Sequence, residues 1–119
     1  MLTRILTISA LLTTVLFSGN VSALNFGWLD TSPLRYFADS DWVLLRSTMQ
    51  KALDSGTDGD TAKWHNPDTE AAGSIKLINS YQEEGKHCRK VEIANSARGL
   101  HGGGIFRLCK IGDTWKVAP

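Results

Sequence analysis

The spacing of apolar residues changes along the chain, and each spacing predicts a different kind of segment. Residues 5–17 form an apolar run that is interrupted only by Thr and Ser. Residues 39–56 place apolar side chains three or four positions apart, and residues 74–117 alternate apolar with polar side chains. A continuous run is typical of an export or membrane segment, a period near 3.6 of an amphipathic helix, and a period of 2 of half-buried strands. The pattern therefore predicts a leader, one helix and a sheet.

The first 23 residues predict a cleavable signal peptide. Arg4 supplies the positive charge before the apolar run, and Val21-Ser22-Ala23 places small residues where signal peptidase cuts. An uncleaved membrane anchor is the alternative, but residues 5–17 are shorter than the roughly 20 residues that a spanning helix needs. We therefore expect cleavage after Ala23, one domain over residues 24–119 without a transmembrane segment, and a periplasmic or outer-membrane-associated location.

The clearest element of the domain is a helix that we expect to begin at Asp39 or Ser40, either of which can cap it, and to end at Gly56. Its apolar face consists of Trp42, Leu45, Met49, Ala52 and Leu53. Before it, Ser32 and Pro33 are typical of the start of a short helical turn. The long helix has one face to bury, which favours packing on a sheet.

Turn residues predict the strand registers. A short strand is expected around Trp64, over residues 61–66, followed by a loop to Gly73. Gly85 suits the third position of a three-residue hairpin loop, and Gly112-Asp113 suits a two-residue turn. These turns pair Leu77 with Val91, Ile75 with Ile93, Tyr81 with His87, Leu108 with Val117, and Lys110 with Trp115.

Cys88 and Cys109 are the only cysteines, and an even count in a small exported domain favours a disulfide between them. That bond fixes the middle register and opposes Val91 to Phe106. One apolar face then results, with both cysteines on the opposite side. Its members are Ile75, Leu77, Val91, Ile93, Phe106, Leu108, Trp115 and Val117.

The sequence thus predicts an α+β domain in which the amphipathic helix packs on a four-stranded antiparallel meander. A small half-closed barrel with the helix as its plug is the alternative. A flexible hairpin loop over Gly99–Gly104 is expected to join the strands that carry the cysteines.

Charge and motif spacing exclude several functions. Removal of residues 1–23 leaves 12 basic and 12 acidic residues, so the domain has no net charge to attract nucleic acid or anionic lipid over a long range. His65, His87 and His101 lack metal-ligand spacing, and a disulfide would consume both thiols. Gly99–Gly104 lacks the Lys-Ser or Lys-Thr of a phosphate loop. We expect no catalytic residue, no cofactor and no metal.

Aromatic residues are the remaining candidates for a binding surface. We expect Trp42 and Trp115 in the core, where tryptophan usually lies in a small domain. Trp28, Trp64 and His101 are predicted as possible contacts with a partner.

Several segments, taken in order, resemble the 17 kDa outer-membrane surface antigen family of bacterial envelope proteins. They are Gly27-Trp28-Leu29 with Ser32-Pro33, Asp41-Trp42, Trp64-His65-Asn66-Pro67-Asp68-Thr69 with Gly73, Tyr81 with Gly85, His87-Cys88-Arg89, and Leu108-Cys109 with Gly112 and Trp115. The resemblance covers residues 25–117 and implies an envelope domain. Family members often carry a lipidated Cys and a glycine-zipper hairpin before this domain, and this chain has neither.

These observations predict an exported, non-enzymatic envelope protein that binds another envelope protein or peptidoglycan. The alternative is a small periplasmic inhibitor of a wall hydrolase, which would insert residues near Gly99–Gly104 into the enzyme's cleft.

Overall fold

The computed structural model describes residues 31–119. The predicted signal peptide, its cleavage site and Trp28 lie outside these residues. The elements are α1 (Thr31–Leu34), α2 (Asp39–Ser55), β1 (Thr61–His65), β2 (Ala72–Glu83), β3 (Lys86–Ala97), β4 (Leu100–Ile111) and β5 (Thr114–Val117). No helix in this part of the chain is both long enough and apolar enough to cross a membrane.

The strands form one antiparallel sheet in the order β1-β2-β3-β4-β5, and the sheet does not close into a barrel. The α+β class is confirmed, whereas the predicted count of four strands is wrong. The strand around Trp64 is β1, and it joins the sheet beside β2. It does so because residues 66–71 form a tight connection, in which the Asn66 N–H donates to the Ala71 carbonyl at 2.9 Å.

Most of the predicted registers are confirmed. Leu77 pairs with Val91, Ile75 with Ile93, Cys88 with Cys109, Val91 with Phe106, Leu108 with Val117, and Lys110 with Trp115. The Gly112-Asp113 turn accounts for the β4–β5 pairs and the assumed disulfide for the β3–β4 pairs, while the β2–β3 pairs agree with the prediction although the turn between these strands does not.

The predicted pairing of Tyr81 with His87 is wrong, since Tyr81 pairs with Cys88. The β2–β3 connection has two residues, Glu84 and Gly85, both with positive φ, rather than the expected three-residue loop. Two positive φ values in succession suit a two-residue hairpin turn. A bulge at Ile78 restores the predicted register further along the strands.

The loop expected over Gly99–Gly104 is also mostly strand. Ala97 pairs with Leu100, so only Arg98 and Gly99 form the turn, and both have positive φ. The remaining glycines continue β4, where Gly102, Gly103 and Gly104 oppose residues of β3.

The core lies between α2 and one side of the sheet, which we call the inner face. The helix buries four apolar residues there: Leu45, Met49, Ala52 and Leu53. The sheet contributes Trp64, Ile75, Leu77, Val91, Ile93, Leu108 and Trp115. Val117, expected in the core, is 39% exposed because β5 is an edge strand, and Phe106 is only partly buried. The other side, the outer face, is covered by no helix among the described residues.

Candidate functional site

The N-terminal end of α2 is held by a buried carboxylate. The predicted cap at Asp39 or Ser40 is wrong, because the N-cap residue is Ala38, whose side chain accepts no hydrogen bond. Instead Asp41 reaches back and accepts the Ala38 N–H at 2.8 Å. It also accepts Asn66 Nδ2 at 2.8 Å and Thr69 Oγ1 at 2.6 Å. The cluster therefore joins the helix to the β1–β2 connection.

The C-terminal end of α2 is held by Arg89, which is 4% exposed. Its guanidinium donates to the Leu53 carbonyl at 3.0 Å and to Asp58 Oδ1 at 3.0 Å. Cationic donors at this end of a helix satisfy carbonyls that lack partners and complement the helix dipole. Asp58 accepts in addition from Ser80, and that side-chain bond and Arg89 hold the pKa of Asp58 below its ordinary value.

These polar clusters connect the two ends of α2 to the sheet and its loops. Asp41 and Arg89 are the buried charged residues of the described chain, and hydrogen bonds within the fold engage both.

A groove of about 600 Å³ lies between α2 and β1. Its floor is apolar and consists of Ala52, Ala62 and Leu77, while α2 supplies a polar wall. The wall residues are Ser47, Thr48, Lys51 and Ser55. Asp60, Thr61 and Lys63 complete the rim on the strand side.

The groove runs beside a free strand edge. Backbone hydrogen bonds flank β1 at both ends: Asp60 O accepts the Leu77 N–H at 2.9 Å, and the Asn66 N–H donates to Ala71 O. Both flanking residues are even-numbered, and antiparallel bonding recurs at every second residue, so the even-numbered residues of β1 are the ones that bond to β2. Antiparallel pairing alternates, and the N–H and C=O groups of Thr61, Lys63 and His65 therefore point away from the sheet. No strand among the described residues pairs with this edge.

Two cations border the groove without a carboxylate partner. The ion pairs of the described residues are His65–Glu70, Arg89–Asp58 and Lys110–Asp54. Lys51 and Lys63 belong to none of them. Asp60 is the acidic residue on the rim, and its Oδ2 accepts the Thr57 N–H at 3.1 Å. The groove thus offers positive charge, hydroxyl groups and unpaired backbone groups along one line.

The structure does not bring the predicted contact residues together. Trp64 is 5% exposed and packs edge-on against Phe37, with ring centroids 5.5 Å apart, so it belongs to the core. It lies across Gly73, where an added Cβ would clash with its indole and lie 2.8 Å from Asn95 Oδ1. His101 is exposed and pairs with Ser96 on the outer face. Trp28 is outside the described residues.

The Cys88–Cys109 disulfide is present. With Glu83 it forms the one cluster of three potential metal ligands in the described range, but the two sulfurs are bonded to each other. Both cysteines lie on the outer face as expected, although they are buried rather than exposed.

The groove and the free edge were missed by the sequence reasoning. The signal that could have found them is the short strand predicted over residues 61–66, to which the sequence analysis assigned no neighbouring strand. Comparisons of the chain with protein-family models, with curated proteins and with solved structures found no match.

Proposed function

We propose that this protein is an exported, non-enzymatic cell-envelope domain, similar to the surface antigens, that binds an extended acidic segment of a partner protein along β1. The observation that supports this proposal is the free edge of β1 beside the α2–β1 groove. The outward backbone groups of Thr61, Lys63 and His65 offer a ladder to an added strand, as in recognition by β-augmentation.

The groove supplies specificity. Side chains of an added strand alternate between its two faces, so every second one would enter the space below α2. The apolar floor at Ala52 and Leu77 accepts a small aliphatic side chain, and the hydroxyl-rich wall accepts a polar one. Lys51 and Lys63 favour carboxylates on the bound segment.

The same charges disfavour a second copy of the chain as the occupant. Two β1 strands paired antiparallel through their free edges, centred on the middle residue, would place Lys63 directly opposite Lys63. Like charges in directly opposed positions destabilise a strand pair, and lysine on an edge strand is a known protection against such pairing. The free edge of β1 therefore favours an acidic partner over a second copy of this chain.

The test is fluorescence anisotropy with a labelled nine-residue peptide that alternates Glu with Val, compared with a peptide that alternates Lys with Val. We expect binding of the acidic peptide only. Lys51→Glu should weaken it by about tenfold or more, whereas Arg46→Glu, an equal charge change on an exposed part of α2, should not.

Lys63→Pro separates backbone pairing from charge. The Lys63 N–H is not used within the sheet, so proline is compatible with this edge position while it removes a donor for the added strand. We expect Lys63→Pro to bind the acidic peptide at least about tenfold more weakly than Lys63→Gln, with both variants folded by circular dichroism. Equal binding by these two variants, or equal binding of both peptides, would overturn the proposal.

The inhibitor alternative lacks support in the geometry. It depends on a projecting loop at Gly99–Gly104, but most of these residues lie within β4. Peptidoglycan, the other expected class of partner, is tested by sedimentation with purified sacculi. Binding to sacculi with no binding to the acidic peptide would favour it over the protein partner.

A further inference from the structure

The outer face of the sheet concentrates basic residues. Strand alternation and the observed registers place Lys76, Lys90, Arg107 and Lys116 on it, one on each of β2 to β5. Lys76, Arg107 and Lys116 are exposed, and Lys90 is half-buried. None of the four belongs to an ion pair of the described residues.

Most carboxylates lie elsewhere. Glu92 lies on the outer face directly opposite Lys76 on β2 and Ile105 on β4, whereas Glu83 and Glu84 lie at the β2–β3 turn. The other described acidic residues are on α2, in the loops that flank β1, or in the β4–β5 turn. A domain with balanced net charge therefore has a positive outer face.

Two of the cations face each other directly. Lys90 on β3 pairs with Arg107 on β4, and both side chains project from the outer face. Arg107 also donates to the Pro119 oxygen at 3.0 Å. Opposed like charges destabilise neighbouring strands, so this pair opposes folding rather than assisting it.

The same face exposes aliphatic side chains. Ile105 is 57% exposed and Ile111 is 45% exposed, and both lie on β4 at the same side as Arg107. Exposed aliphatic groups among cations fit a membrane interface, where lipid phosphates attract the cations and the aliphatic groups enter the acyl boundary. A soluble polyanion offers no apolar phase for the isoleucines.

We propose that the outer face of the sheet docks on an anionic lipid membrane, with Lys76, Lys90, Arg107 and Lys116 on the headgroups and Ile105 at the acyl boundary. This surface is on the side opposite α2 and is independent of the peptide groove. Attraction between these cations and the lipid headgroups acts only within a Debye length, about 8 Å at physiological ionic strength. A positive face can therefore bind a membrane even though the net charge of the domain is balanced.

The test is sedimentation with vesicles of phosphatidylglycerol and phosphatidylcholine, compared with phosphatidylcholine alone. We expect binding to the anionic vesicles only, decreasing as salt rises. One basic residue near an anionic surface strengthens binding by about fivefold, so Lys90→Glu should reduce the partition coefficient by roughly 25-fold. Arg46→Glu, with the same charge change on α2, should leave it within about twofold.

Two further measurements exclude unfolding of the variant and a purely electrostatic contact as explanations for changed vesicle binding. Lys90→Glu replaces a repulsive cross-strand pair by an attractive one, so its melting temperature should be equal to or above that of the wild type while membrane binding is lost. Ile105→Ser keeps every charge and should still reduce vesicle binding severalfold. Equal binding to both vesicle types, or full binding by Lys90→Glu, would show that the outer face is not a membrane surface. Binding insensitive to Ile105→Ser would overturn the membrane assignment in favour of a purely electrostatic contact.

Discussion

Asp41 has the most buried carboxylate among the described residues, with no exposed surface. Burial acts to raise its pKa, but hydrogen bonds from Thr69, Ala38 and Asn66 favour the charged form and hold the pKa of Asp41 below its ordinary value. An ionised acid near the first turn also interacts favourably with the helix dipole. This one residue therefore caps α2 and attaches it to the β1–β2 connection.

Replacing Asp41 tests that role. Asp41→Ala removes an acceptor and leaves the Asn66 and Thr69 donors without it, so we expect a loss of about 2–4 kcal/mol in the free energy of unfolding. Asp39→Ala, an exposed acid in the same turn, should cost less than about 1 kcal/mol. Urea denaturation gives both values. Equal losses would show that the interaction with the dipole, rather than the hydrogen-bonded cluster, accounts for the effect.

At the scale of elements, α2 is linked to the far edge of the sheet through Asp54. Its Oδ1 accepts Trp115 Nε1 at 2.8 Å and Lys110 Nζ at 3.0 Å, and Gln50 donates to its Oδ2. The bond from Trp115, then those from Gln50 and Lys110, lower the pKa of Asp54 to about 2. These contacts connect one helix with β4 and β5.

The lowered pKa predicts a pH dependence of stability. Because the folded pKa lies below the unfolded one, the stabilisation is complete above about pH 4 and is lost as the pH falls toward 2. Asp54→Asn should lower the melting temperature at pH 7 and reduce its decrease between pH 5 and 2. Asp113→Asn, at an exposed turn position, is the matched control. A wild-type pH profile reproduced by Asp54→Asn would contradict the assignment.

At the scale of the whole molecule, one layer of helix covers one side of a single open sheet. The inner face carries the core, and the disulfide lies on the outer face between β3 and β4. Folding has to order the entire sheet around α2, because the sheet has no second apolar layer among the described residues. The disulfide reduces the conformational entropy of the unfolded chain that opposes this ordering.

Removal of the disulfide should therefore destabilise the whole domain without changing its fold. Cys88 and Cys109 are 21 positions apart, and a loop of that length is worth about 3 kcal/mol. Cys88→Ala/Cys109→Ala should lower the denaturation midpoint while the far-ultraviolet circular dichroism is kept. Non-reducing peptide mapping of the wild type should recover the linked peptides. Wild-type midpoints that do not change with added reductant would count against the expected contribution.

Much of the fold followed from local signals in the sequence. The spacing of Leu45, Met49 and Leu53 predicted α2, and the turn at Gly112 with the cysteine pair predicted the registers of β3, β4 and β5. These features are local because helix period, strand alternation and turn chemistry depend on near neighbours. The predicted length of the β2–β3 turn was wrong by one residue. A two-residue turn followed by a bulge at Ile78 gives the same register beyond the bulge as a three-residue turn without one, so the alternation of apolar residues there cannot distinguish the two.

The sequence by itself determined the helix, the identity of most inner-face residues and the pairing of Cys88 with Cys109. Tertiary structure alone decided that β1 forms the sheet edge, that Asp41 is buried at its junction with α2, and that Trp64 lies in the core. Tertiary structure also decided where charge accumulates, because a count of 12 basic and 12 acidic residues in residues 24–119 does not specify which face of the domain carries them. The physical reason is that edges, grooves and charged faces arise from segments that meet in space, and their positions depend on packing between elements rather than on spacing within one.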